Sequence, residues 1–107
     1  MSVDTTTACC LPTRIKAADR DRAAEVATTA KLLADPVRIE ILDLLRSAGG
    51  PVCQCELHPL FDISQPTLSH HLKKLREAGI VDSERRGLWA YHYVIPEALE
   101  ELTAWLS

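Results

Sequence analysis

Ile63-Ser64-Gln65-Pro66-Thr67-Leu68-Ser69-His70-His71-Leu72 is the stretch on which the reading of this chain turns. Ser64 has the hydroxyl of a helix N-cap, and Leu68, Leu72 and Leu75 fall on one side of a helix drawn at its natural period. Pro66, Thr67, His70, Lys73, Lys74 and Glu77 point away from the leucines, with Gln65 and Ser69 on one flank. The outward N-terminal half thus carries amide, hydroxyl and imidazole groups, which hydrogen-bond base edges, and lysines placed for phosphates follow. Gln65 can pair with adenine in a major groove, while Thr67 and Ser69 can reach phosphate or base edges. The helix N-terminus itself favours phosphate oxygens. An ordinary amphipathic helix with a solvated face would share the periodicity. The tight Asp62-Ile63-Ser64 connection, a first turn that is polar rather than acidic, and a basic hairpin tip downstream point instead to a DNA-reading helix.

Working outward, Gly79 suits the left-handed position that ends this helix. Residues 81–85 and 88–94 read as two strands joined through Arg86-Gly87, a wing whose tip carries Arg85 and Arg86 for the phosphate backbone or a minor groove. Trp89, Tyr91 and Tyr93 alternate along the second strand as core or interface residues, and His71, beside the leucines, reads as a packing histidine. Pro96 opens a last helix with Ala98, Leu99, Leu102, Trp105 and Leu106, more apolar surface than a lone small domain easily covers. Upstream, an Ala-rich first helix starts after Asp19, and Asp35-Pro36 caps a second one with Val37, Ile41, Leu44, Leu45 and Ala48 as its stripe. Gly49-Gly50-Pro51 stops that helix, and a short third helix runs from near Cys53 to about Leu60. The expected fold is mainly α with a β-hairpin wing, a winged helix-turn-helix in the order α-α-α-α-β-β-α. It occupies residues 19–107 behind a flexible arm, residues 1–18, that carries Cys9, Cys10 and Pro12.

The length, 107 residues, suits one domain and a limited core, so a dimer is a natural supplement. The net charge of −3 does not advertise a nucleic-acid binder, but residues 64–92 carry +2 and the remainder −5, with His70, His71 and His92 able to add charge. No apolar run is long enough for a bilayer and no secretory h-region is visible, so the expected compartment is the cytoplasm, with no membrane partner. Thiols stay reduced there, and paired cysteines read as metal or redox groups rather than a disulfide framework.

The four cysteines stand as Cys9-Cys10 and Cys53-Gln54-Cys55, the second pair a few residues before the reading helix. Thiols beside a DNA-reading element suggest that a soft ion or an oxidant controls DNA binding. Trivalent arsenic or antimony forms three pyramidal bonds to sulfur, cadmium and lead also favour sulfur-rich sites, and zinc often takes four sulfur or nitrogen ligands. Cys53 and Cys55 lie at a helix start, where the dipole and free amides favour thiolate. Two residues apart they point to opposed sides of a regular helix, but in a frayed first turn both can face one ion.

Over most of its length the chain resembles the ArsR/SmtB family of metal-responsive repressors. The matching stretches are Leu33-Ala34-Asp35-Pro36-Val37-Arg38-Ile39-Glu40-Ile41-Leu42, Val52-Cys53-Gln54-Cys55-Glu56-Leu57, Ser64 to Lys73 of the reading helix, and Leu75-Arg76-Glu77-Ala78-Gly79. The resemblance implies a homodimer packed through its first and last helices that represses genes when free of inducer. It also implies an inducer site on the helix before the reading helix. In one version of that site a third cysteine lies three residues past the second; here that place holds His58, expected to be a solvated side chain. Relatives with cysteines in the N-terminal arm pair them with the Cys-x-Cys, commonly from the opposite subunit. The ligand set implied for this chain is Cys53 or Cys55, or both, completed by Cys9 or Cys10. A second family site, on the last helix, binds zinc; Glu97, Glu100 and Glu101 without a histidine read as a solvated face, and that site is expected to be absent.

The expected function is a dimeric repressor of a metalloid-resistance operon, bound to double-stranded operator DNA and released by trivalent arsenic or antimony. The alternatives are a repressor of the same fold responding to cadmium, lead or zinc, or to oxidation of its thiols. A small metal-chaperone domain would need neither reading helix nor wing. No nucleophile-base set or phosphate-binding glycine loop suggests an enzyme.

Overall fold

A computed structural model describes residues 15–107. The arm expected over residues 1–18, with Cys9, Cys10 and Pro12, lies mostly outside the described residues; residues 15–19 lead without regular structure into α1, Arg20–Leu33. Asp19 caps α1 by accepting from the Arg22 amide at 3.0 Å. At the next helix, α2 (Pro36–Ala48), the Asp35 carboxylate accepts from the amides of Val37 at 2.8 Å and Arg38 at 3.4 Å while Pro36 fills a position that needs no donor. Gly49, at φ +71°, ends α2 in the left-handed conformation that the described non-glycine residues avoid.

A short strand follows, β1 (Val52–Cys53), then a single helical turn, α3 (Gln54–Leu57), which tightens into a 3₁₀ turn over His58–Leu60. The reading helix is α4 (Gln65–Glu77), and its continuation is a hairpin of β2 (Val81–Arg86) and β3 (Trp89–Val94) before α5 (Pro96–Leu106) closes the chain. The strand β1 is absent from the sequence reading, which took a two-stranded wing. It pairs antiparallel with β3, Val52 opposite His92 and Cys53 opposite Tyr91, so the sheet has the order β1-β3-β2. A strand of two residues has no alternation to read. The hairpin turn also shifts by one residue: Arg86 pairs with Trp89 and the loop is Gly87-Leu88, with Gly87 at φ +62°.

Ile41, Leu42 and Leu45 of α2, Leu57 of α3, Leu68, Leu72 and Leu75 of α4, and Ile80 and Val81 form one core. Leu99 and Leu102 of α5 pack against its edge, whereas Trp105 and Leu106 remain exposed. Arg38 ties α2 to α4, donating from Nε to His71 Nδ1 at 3.2 Å and from its terminal nitrogen to the Leu32 carbonyl at 2.8 Å. His71 is accordingly half-buried, as a packing histidine should be.

Candidate nucleic-acid interface and thiol site

The orientation of α4 follows from its leucines. With Leu68, Leu72 and Leu75 fully buried, Gln65, Pro66, Thr67, Ser69, His70 and Lys73 stand exposed on the outer surface. Lys74, expected to point outward, is half-buried and pairs with Glu77 at 3.4 Å. Ser64 Oγ accepts from the Thr67 amide at 3.3 Å and lies 2.9 Å from the Thr67 hydroxyl, so Thr67 also belongs to the cap. The exposed side chains form a polar ridge along the first turns of α4, with the Thr67 and Leu68 amides already taken up by Ser64.

On the wing, Arg85 and Arg86 are both exposed. Arg86 forms an ion pair with Glu84 and lies over the Tyr91 ring, its guanidinium carbon 4.5 Å from the centroid. A phosphate reaching Arg86 therefore competes with a partner already in place. The aromatic residues of β3, expected in the core or an interface, are not in the core. Trp89 is 56% exposed and Tyr91 and Tyr93 are half-buried, while the one fully buried side chain of β3 is His92. The helices cover the face that His92 occupies, and the wing tip projects beyond them.

His92 also corrects the charge count. Burial, with the Arg76 charge adding to it, pushes its pKa down to about 4, so at neutral pH it contributes no positive charge. Its Nε2 lies 3.2 Å from Gln54 Oε1, and its Nδ1 is buried without a hydrogen-bond partner. Gln54 in turn donates from Nε2 to Gln65 Oε1 at 3.1 Å and to Ser69 Oγ at 2.8 Å. Two of the expected base-reading side chains are thus held by the residue between the two thiols. The sequence reading missed this connection. Its only signal was a polar side chain at the start of a short helix, and nothing in a spacing rule says which neighbour such a group meets.

Cys53 and Cys55 differ sharply. Cys53 is 3% exposed, and Cys55 is exposed at the surface. Cys53 is at once the end of β1 and the N-cap of α3: its sulfur accepts from the Cys55 amide at 3.4 Å, and Glu56 Oε1 accepts from its backbone amide at 3.1 Å, a capping box built on a thiol. The helix start does not ease ionisation of Cys55. The hydrogen bond with Cys53, then partial desolvation and the negative charges of Cys53 and Glu56, push the Cys55 thiol up from its ordinary value. As donors the two sulfurs suit a soft ion, but among the described residues no group of three His, Cys, Asp or Glu side chains could hold a metal. Cys9 and Cys10 lie outside the described residues.

His58 is not the solvated side chain expected. It is half-buried, with Nε2 2.8 Å from the Ile63 carbonyl, and it braces the end of the third helical segment against the turn that leads into α4. Of the last helix's glutamates, Glu97 and Glu100 are exposed, and Glu101 reaches Arg22 of α1 at 3.1 Å. Among the described residues no helix is long and apolar enough to cross a membrane.

Comparison with known proteins agrees with this geometry. The model of the family described as "Bacterial regulatory protein, arsR family" matches residues 35–83, from the cap of α2 into β2. An uncharacterized HTH-type transcriptional regulator of Methanocaldococcus jannaschii is 37% identical over 82 residues, which are 77% of this chain and 88% of that protein. The arsenical resistance operon repressor of Staphylococcus xylosus is 48% identical over 63 residues, 59% of each chain. That match leaves about two fifths of the repressor's own length unspanned. Among solved structures, the homodimeric winged helix-turn-helix DNA-binding domain of a Mycobacterium bovis protein superposes with a TM-score of 0.67 at 27% identity, covering 84% of each chain. The fold is a winged helix-turn-helix, its relatives are DNA-binding regulators rather than enzymes, and the chain belongs to the ArsR family of bacterial regulatory proteins.

Proposed function

We propose that the protein is a cytoplasmic, dimeric repressor of a metalloid-resistance operon, released from its operator when trivalent arsenic or antimony binds cysteine thiolates. The observation that carries this reading is the Cys53–Cys55 pair at the start of α3, separated from the DNA-reading helix by the 3₁₀ turn His58–Leu60 and the loop to Ser64. Each As–S bond replaces an As–OH bond, the thiol proton leaving with hydroxide as water. Cys53, Cys55 or both supply sulfur, and Cys9 or Cys10 of the arm completes a three-coordinate set. Several relatives, in Staphylococcus xylosus, Staphylococcus aureus and Escherichia coli, are named arsenical resistance operon repressors, which supports the choice of ion.

On DNA, Gln65, Thr67, Ser69 and His70 face base edges and nearby phosphates, and Lys73, Arg85 and Arg86 meet the backbone. The exposed Trp105 and Leu106 at the end of α5 and the largely exposed α1 supply the apolar surface on which two copies associate. The test is a titration of reduced, operator-bound protein with arsenite, antimonite, cadmium, lead, zinc and peroxide, followed by fluorescence anisotropy. Arsenite and antimonite are expected to release the DNA at the lowest concentrations. Cys53→Ser, Cys55→Ser and the Cys9/Cys10 double replacement are each expected to blunt release while leaving DNA binding nearly intact. Full release in the Cys9/Cys10 variant would remove the arm from the site, and release by cadmium or lead alone would replace the ion.

A further inference from the structure

We propose that Gln54, the residue between the two thiols, is a positioning residue that holds the reading helix in its DNA-competent setting and lets go when a soft ion draws on Cys53 and Cys55. The inference rests on the thiol-induction reading above and supplies the link that reading lacks.

The side-chain amide of Gln54 is fully committed. Its two N–H groups go to Gln65 Oε1 at 3.1 Å and Ser69 Oγ at 2.8 Å, and its oxygen accepts from His92 Nε2 at 3.2 Å. With the amide in this orientation, His92 carries its ring proton on Nε2. Gln65 and Ser69 are four residues apart, one above the other on the same flank of α4, so one amide spans its first and second turns. The other end of the relay is anchored, because His92 is 2% exposed in the central strand of the sheet. Gln54 therefore joins the sheet to the reading helix across the start of α3.

The same residue has no freedom to ignore its neighbours. Cys53 is extended, with φ −65° and ψ 140°, and its sulfur caps the turn that begins at Gln54. Because Cys53 is buried and Cys55 exposed, one ion cannot take both sulfurs together with a ligand from outside unless the first turn rearranges. Withdrawing the Cys53 sulfur removes the bond to the Cys55 amide and turns the backbone on both sides of Gln54. Hydrogen bonds fail within a few tenths of an ångström and a few tens of degrees, so the amide loses Gln65 and Ser69 before the core of α4 is disturbed. Gln65 then regains the rotamer freedom that the clamp had removed, and DNA binding has to remove it again. Ion binding at the thiols and base reading at α4 become two loads on one small polar network, and by linkage operator DNA weakens ion binding by the same factor.

The experiment uses the full-length reduced protein, arsenite, and a labelled duplex selected from a random pool by the wild type. Gln54→Met keeps the length of the side chain and removes its hydrogen bonds. A second variant, Gln54→Met with His92→Leu, also removes the buried donor left behind, and thermal unfolding identifies whichever variant is folded. Three quantities are read: operator affinity without arsenite, arsenite affinity without DNA, and the ratio of operator affinities without and with saturating arsenite. The wild-type ratio is expected in the range of about 5- to 150-fold usual for coupled sites. In the variants arsenite should bind at least as tightly as in the wild type, because the bonds the ion must break are already gone, and operator affinity should fall by the same factor as the wild-type ratio. The arsenite ratio should collapse toward no change. Arsenite-dependent shifts of the Gln65 and Ser69 amide resonances should vanish with it. A variant that binds arsenite and is released as fully as the wild type overturns the relay and leaves the thiol reading standing. A wild type that binds arsenite without release, or does not bind it, overturns the thiol reading and the relay with it.

Discussion

The two helices on either side of the helix-turn-helix corner begin in similar ways and are held very differently. A side chain caps each of them, Ser64 through a hydroxyl at α4 and Cys53 through a thiol at α3. Behind its cap α4 has thirteen residues and three fully buried leucines; α3 has four residues and one buried leucine, Leu57. A sulfur acceptor is weaker than an oxygen one, and a single turn adds almost nothing to its own stability. The element that must present a fixed surface to DNA is thus built into the core, and the element that carries the thiols is free to change at small cost. A switch needs both properties, and here they lie within a few residues of one another.

The largest test of that contrast is Leu68→Ala. Leu68 is completely buried beneath the exposed ridge of α4, and the substitution is expected to cost about 2–5 kcal/mol of global stability by denaturant titration. A cost below about 1 kcal/mol would mean that α4 is not locked to the core as described. Next in size is the acid response of His92. Its folded pKa, about 4, lies below the ordinary histidine value of 6.5. The unfolded chain therefore binds the extra proton first as pH falls, so the contribution is complete above 6.5 and is lost on acidification toward 4. The loss should reach about 3 kcal/mol by pH 4 relative to His92→Leu, read as the difference between the two stability curves. Parallel curves would show that the ring is not buried neutral. Smallest is Ser64→Ala, expected to cost about 1 kcal/mol. Amide exchange sharpens this last comparison: the Thr67 amide, capped by Ser64, should exchange more slowly than the Cys55 amide, capped by sulfur. The reverse order would erase the difference between the two helix starts.

Much of the fold was legible because it is written in local chemistry. Asp35-Pro36, Ser64 and Gly79 mark helix ends wherever they occur, and the leucine spacing of α4 set its orientation correctly. The two-residue strand β1 was not legible, because pairing with β3 is a long-range event with no local pattern. For the same reason His92 was counted among the histidines able to add charge: a histidine in an alternating strand gives no sign of which face the helices will cover. Around the site, the DNA-facing residues could be named from one helix, whereas the grip of Gln54 on Gln65 and Ser69 needs three elements brought together. His58 illustrates the same limit, since its bond to the Ile63 carbonyl depends on a turn whose path the residues alone do not give.

The unequal exposure of Cys53 and Cys55 also provides the protein with its own chronometer. A small alkylating reagent meets Cys55 directly, but it reaches Cys53 only in the fraction of molecules whose first turn of α3 has opened. Peptide mapping after timed exposure separates the two adducts, and the lag of the inner thiol behind the outer one measures how often that turn lifts. The natural side chains therefore report the local opening on which release from DNA would depend, with no probe added to the molecule.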